Sequence, residues 1–234
     1  MNPRWALELL GSNEVLADAR ALFKNTDPST ALETLGCGRT ATLLFSRQFE
    51  AHNNRRAVYA LAKCFVDRVN GVLFVGNERR APIAIAGGPM ERAKNGRWNY
   101  SLIAEPGTFV IASVNSPGGS LIGENVVGWM QAACSDELVG QVLTYLSNNP
   151  DWVDLYKVWE CVAADIKERN KMAKVAFELP HQKEIKAFKA GANKQHRHRP
   201  TAQHPLAPKM MSPDEGTNFI RELVRDWLRW RSLA

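Results

Sequence analysis

A chain of 234 residues with 45% apolar and 23% charged content can bury a sizeable core, which excludes wholesale disorder. The net charge of +6 excludes a strongly acidic protein, and its uneven placement turns attention to anionic partners. No apolar run approaches the roughly 18 residues needed to cross a bilayer. MNPRWALELL meets Glu8 and Gly11 too early for a secretory leader, so a cytoplasmic protein without membrane association is expected.

The N-terminal part mixes strand and helix signals. Trp5–Leu10 suits a short strand, and Ser12 or Asn13 can cap a helix with Val15, Leu16, Ala19, Leu22 and Phe23 on one side. The β-branched and aromatic content of 39–49 predicts a strand, and Asn53-Asn54 opens a helix with Val58, Leu61, Phe65 and Val69 at helical spacing. Strands are predicted at 82–88, at 97–105 and at 108–114. They are separated by an Asn95-Gly96 hairpin turn, whose residues can both take positive φ, and by Glu105-Pro106-Gly107. These features imply a helix backed onto an antiparallel meander, with a boundary at Ser116–Ser120, where Pro and paired Gly interrupt the pattern.

Strand signals then cease. Ser135-Asp136-Glu137 opens a helix to about Ser147, and Asn149-Pro150-Asp151 the next, with Pro150 at the first helical position. Trp152, Leu155, Tyr156, Trp159, Val162, Ala163 and Ile166 form one apolar stripe along it. A short helical piece is expected over Ala173–Phe177, then a helix over His181–Ala192 with Ile185 and Phe188 inward and Lys183, Lys186 and Lys189 outward. Ser212-Pro213-Asp214-Glu215 is a capping box. The helix behind it buries Phe219, Ile220, Leu223, Val224, Trp227 and Leu228 and carries Arg221, Arg225 and Arg229 at four-residue steps. The fold class expected is α+β: a small antiparallel-sheet and helix domain over 1–117, followed by an all-α helical bundle over 121–234. The four cysteines, Cys37, Cys64, Cys134 and Cys161, lack any CxxC pair and are expected as reduced, mostly buried thiols.

Charge singles out one stretch. Residues 1–117 carry a net +4, 118–180 carry −4, 181–209 carry +6 and 210–234 are neutral, so 29 residues equal the whole excess. This stretch holds four of the five histidines and only one acid, Glu184. Pro200, Pro205 and Pro208 forbid helix across its second half, leaving a basic loop between two packed helices, a place where sites commonly sit. Arg197 and Arg199 offer planar forks to phosphate oxygens. Lys183, Lys186, Lys189, Lys194 and Lys209 add point charges, and Arg221 and Arg225 could extend the track. RNA or another polyanion is the partner this favours, through contacts that carry little sequence information.

The same loop holds a proton-transfer set. Metal-independent RNA cleavage needs a base, an acid and a cation at the phosphate. Arg199 and His204 supply an R-x4-H pair, with His196 or His198 as the second acid/base. His196, His198 and His204 could also be zinc ligands, but no cysteine or carboxylate lies near and four cations in the loop would repel the ion, so no metal and no cofactor are expected. A helical C-terminal half with R-x4-H ahead of its last helix resembles the HEPN domains of prokaryotic defence and toxin systems, over roughly residues 125–234. The resemblance implies a ribonuclease whose Arg and His meet across a homodimer cleft, although the polar residue usual after the Arg is here Pro200. A non-enzymatic scaffold whose basic loop contacts an acidic protein surface, or neutralises the chain's own 118–180 segment, is the competing reading. Elsewhere, Trp98 and Tyr100 could stack single-stranded bases but suit core packing better. Arg55-Arg56 and Arg79-Arg80 are basic pairs, and Asp151, Asp154, Asp165 and Glu168 are carboxylates along one helix that more commonly solvate than catalyse.

Overall fold

The structure, a computed structural model, describes residues 3–24, 26–35, 37–76, 82–99, 126–171, 176–196 and 210–233. The predicted strand at 108–114, the boundary at 116–120, Tyr100 and the Arg79-Arg80 pair lie outside them. The fold is mixed α+β, with the order β1 (Trp5–Leu10), α1 (Asn13–Leu22), β2 (Ser29–Thr34), β3 (Thr40–Phe45), α2 (Arg47–Glu50), α3 (Arg55–Gly76), β4 (Ala84–Arg92), β5 (Trp98–Asn99), α4 (Val126–Ser135), α5 (Glu137–Tyr145), α6 (Trp152–Arg169), α7 (Gln182–His196) and α8 (Pro213–Leu233). Among the described residues no helix is long and apolar enough to cross a membrane.

The strands form an antiparallel five-stranded sheet of order β2-β3-β1-β4-β5. The first two strands of the expected meander appear as β4 and β5, paired antiparallel, and the third, at 108–114, lies outside the described residues. The N-terminal strand lies in the centre, and the 82–99 hairpin flanks it on one side while β2–β3 flanks it on the other. In the β4–β5 turn only Gly96 takes positive φ (80°), with the Asn95 side chain accepting the Arg97 N–H at 3.1 Å. Against β1 the register of β4 slips between Ala6 and Glu8, opposite the Gly87 region, where φ is 63°. Such a bulge bends a strand, and the sheet is curled. The curl brings β2 and β5, at opposite edges, together across the concave face: the Trp98 indole N–H donates to Glu33 at 2.8 Å, and Arg92 lies 3.6 Å from the same carboxylate. Ala6, Leu35, Ala41, Leu43, Phe45, Met90 and Trp98 fill this face as a small core of their own.

The other face carries Trp5, Leu7, Leu9 and Leu44 into the main core, under α1 and α3. Ser12 caps α1, accepting the Val15 N–H, and Val15, Ala19 and Phe23 face the sheet. α3 packs on β1 and β4 with one side and on α4, α5 and α8 with the other. Its second half is accordingly buried nearly all round, from Val66 through Val75. Asn70 within it is buried and pairs with the backbone of Ile83 in both directions, at 2.8 and 2.9 Å, which fixes where β4 begins. The main core runs without interruption from Trp5 to Trp230, so sheet and C-terminal helices share one interior.

Several local expectations change. α4 is an additional helix, and Ser135 closes it while Asp136 caps α5. Asp151, not Asn149, caps α6, accepting the N–H groups of Val153 and Asp154; Pro150 stays outside the helix, and Asn149 takes φ 47°. Phe177 is not helical. Its backbone N–H and C=O are both taken by the Asn170 side chain, at 2.8 and 3.0 Å, and its ring meets Trp230 edge-on. The cysteines correct the expectation of burial: Cys37, Cys64 and Cys134 are exposed and Cys161 is half-buried. Burial raises the Cys161 thiol above its ordinary value.

Candidate polyanion-binding segment

Helix α7 forms because Ile185, Phe188 and Ala192 recur on one side while its lysines lie elsewhere. Phe188 has no exposed surface and sits in an aromatic cluster: Trp152 at 5.7 Å, Tyr156 at 6.5 Å, Trp159 at 6.2 Å and Phe219 at 5.2 Å between ring centroids. These rings join α6, α7 and α8.

Two glycines let the helices close on Trp152. A Cβ on Gly191 of α7 would stand 2.8 Å from the indole and 2.7 Å from the Met211 carbonyl oxygen; one on Gly216 of α8 would run into the same ring. These approaches are closer than carbon atoms tolerate, so only glycine fits. These residues were not singled out from sequence; glycine inside a helical pattern was the available signal. The Met211 N–H donates to the Ala187 carbonyl at 3.2 Å. The chain thus leaves α7 at His196 and is pinned again beside Ala187, nine residues back, or about 13 Å down the helix. α8 then starts on the predicted capping box: Ser212 N–H to Glu215 at 2.8 Å, and Glu215 N–H to the Ser212 hydroxyl at 3.3 Å.

Of the residues expected to meet an anion, Lys183 and Lys186 are exposed and make no ion pair among the described residues. Lys189 is half-buried, its ammonium 5.3 Å from the Trp159 ring. Steps of three residues turn a side chain back by about 60° each, so Lys189 reaches α6 while Lys183 faces solvent. Lys194 and His196 belong to the last turn of α7. Arg197, His198, Arg199, His204 and Lys209 lie outside the described residues. Arg221 and Arg225 do not stand on an open ridge. Arg221 is 5% exposed, with its guanidinium 5.1 Å from the Phe74 ring. Arg225 donates through Nε and Nη2 to the Val75 carbonyl, at 3.2 and 2.7 Å, near the C-terminus of α3. Their side of α8 is the side turned to α3.

The other candidates also have structural partners. Trp98 is buried and hydrogen-bonded to Glu33, with Arg92 over its ring at 4.8 Å. Arg55 pairs with Glu91 at 3.2 Å. Asp165 accepts from the Trp227 indole at 2.9 Å and from Arg169 at 2.9 Å, and Arg231 ties it to the α5 cap, Asp136. Glu168 pairs with Lys171 at 2.7 Å and Asp154 with Lys157 at 3.7 Å. Among the described residues no three His, Cys, Asp or Glu side chains are grouped to hold a metal ion. Compared with protein-family models, with curated proteins and with solved structures, the chain finds a match in none of the three.

Proposed function

We propose that the protein binds RNA, or another polyanion of the same phosphate chemistry, through α7 and the basic stretch that follows it. The observation that carries this reading is the placement of α7. One side is clamped into an aromatic core, while Lys183 and Lys186 stand in solvent on the helix that leads directly into Arg197, His198 and Arg199. A rigid helix presenting lysines ahead of an arginine-rich, acid-free stretch suits phosphate binding that is indifferent to base sequence. The weak HEPN resemblance extends this to metal-independent cleavage in a self-associating cytoplasmic protein. There Arg199 would stabilise phosphoryl charge, and His204, with His196 or His198, would move protons.

Fluorescence anisotropy with a labelled single-stranded RNA tests it. Affinity is expected to fall steeply with salt, and Lys183→Ala with Lys186→Ala to flatten the log–log slope by about 0.7 per lysine. Binding that is absent at low salt, or that ignores both this variant and Arg197→Ala/Arg199→Ala, overturns the reading. Cleavage in EDTA that is lost in Arg199→Ala and His204→Ala, with binding retained, supports the nuclease extension. Capture by an acidic polypeptide but not by RNA would move the function to the scaffold class.

A further inference from the structure

Two cavities abut at the turn between α1 and β2, sharing Thr26 and Asp27 as a common wall. The larger, about 540 Å³, is lined by residues of β2, β3 and α2, and its size is that of a small-molecule site. Phe45 is an apolar wall of it, and among the described residues Asp27, Glu33 and Glu50 line it against one cation, Arg47. Glu33 is committed to Trp98 and Arg92. Asp27 and Glu50 are exposed and receive only backbone N–H groups, Asp27 from Arg47 at 3.0 Å and Glu50 from Arg4 at 2.9 Å and Trp5 at 3.3 Å. Neither carboxylate is in an ion pair among the described residues. Ser46 also lines this cavity and is 6% exposed. Its oxygen accepts the Gln48 N–H at 3.1 Å, and its own proton goes to no described residue.

The smaller cavity, about 160 Å³, is apolar in character, lined by Phe23, Phe65, Val127 and Met130, with the Cys134 thiol at its wall. A space of about 150 Å³ lined by such side chains accepts a benzene ring.

We propose that the two cavities form one site for a small organic ammonium or amidinium ion, its charged end against Asp27 and Glu50 and its aromatic or branched apolar end in the slot beside Cys134. The two halves of the site select for the two halves of the guest. Asp27 and Glu50, which outnumber Arg47 on the wall, attract the cation, and the apolar slot rewards removal of a ring from water. Because Asp27 belongs to both walls, a linker of one or two carbons between ring and nitrogen spans them. The Ser46 hydroxyl leaves a donor for an oxygen on the guest. The site is remote in sequence from α7 and requires neither RNA binding nor cleavage.

Cys134 serves as a built-in reporter, since it lines the slot and is exposed to reagent. Iodoacetamide alkylation of the full chain is followed by mass spectrometry, with Cys37 and Cys161 as internal references. Phenethylamine, added up to about 10 mM, is expected to slow labelling of Cys134 alone, and its neutral analogue 2-phenylethanol to protect about tenfold less well. Asp27→Asn, which keeps an acceptor for the Arg47 N–H, is expected to weaken protection by phenethylamine about tenfold. Absence of protection in the wild-type chain, equal slowing at Cys37, equal protection by the alcohol, or an Asp27→Asn variant with unchanged protection would each overturn the proposal.

Discussion

At the scale of single residues, Glu91 shows how this fold uses charge. It accepts from Arg4 at 2.9 Å and from Arg55 at 3.2 Å, while both guanidinium groups lie over Trp5, at 4.8 and 6.0 Å from its ring. The Arg4 hydrogen bond, opposed by burial and helped by Arg55, holds the Glu91 carboxyl below its ordinary value. A depressed carboxyl stabilises the fold above its unfolded pKa of about 4.3, and that contribution disappears as pH falls through the folded value. Glu91→Gln is therefore expected to lower stability at pH 7 by about 0.5–1 kcal/mol, the size of a partly exposed ion pair. The deficit should shrink toward zero near pH 3, read from denaturant midpoints of both proteins. None of this was legible in the sequence, where Arg4, Arg55 and Glu91 are distant neighbours. The Ser212–Glu215 capping box was legible, because both partners lie within one turn and the motif states its own geometry.

Helices and strands were readable where their own side chains decide their fate. The stripe on α6 and the alternation of Ile185 and Phe188 on α7 emerged as expected, since burial of one side leaves a period. β2 did not announce itself: Ala31 and Leu32 are both exposed, and its identity as a strand comes from pairing with β3. α4 is apolar almost throughout, so no period marks it off from a strand or a buried loop. Where helices touch, fit is set by glycine. Alanine ordinarily stabilises a helix over glycine by about 1 kcal/mol. At Gly216 the added methyl would collide with the Trp152 indole, and Gly216→Ala is expected to cost about 1–3 kcal/mol instead, as overpacked cores do. Urea denaturation measures the sign. If α7 carries the anion site, the same variant should also weaken RNA binding, because the junction that holds α7 is disturbed.

For the whole molecule, α3 decides the organisation. It belongs to the N-terminal part by sequence, yet it supplies a wall to the sheet and another to the C-terminal helices. A proline and paired glycines near residue 117 mark a break in the sequence pattern, and such a motif says nothing about which surfaces meet in space. With one continuous interior, far-UV circular dichroism and tryptophan fluorescence should report a single coincident unfolding transition. Two separated transitions would show that sheet and helices melt independently. Neither candidate site was fully legible. The basic stretch was visible as composition, whereas Asp27 shares one cavity with Glu50 and another with Cys134 only because elements distant in sequence converge on its turn.

Among the described residues, β2 and β5 meet through a carboxylate, an indole and a guanidinium, with no ladder of amides between them. A seam of that kind parts with a few rotamer changes, whereas a closed barrel must break several backbone bonds at once. The cup formed by the sheet therefore has a clasp on one side, and widening its rim around a guest draws on Glu33, Arg92 and Trp98 and on the packing of Trp98 against Phe45.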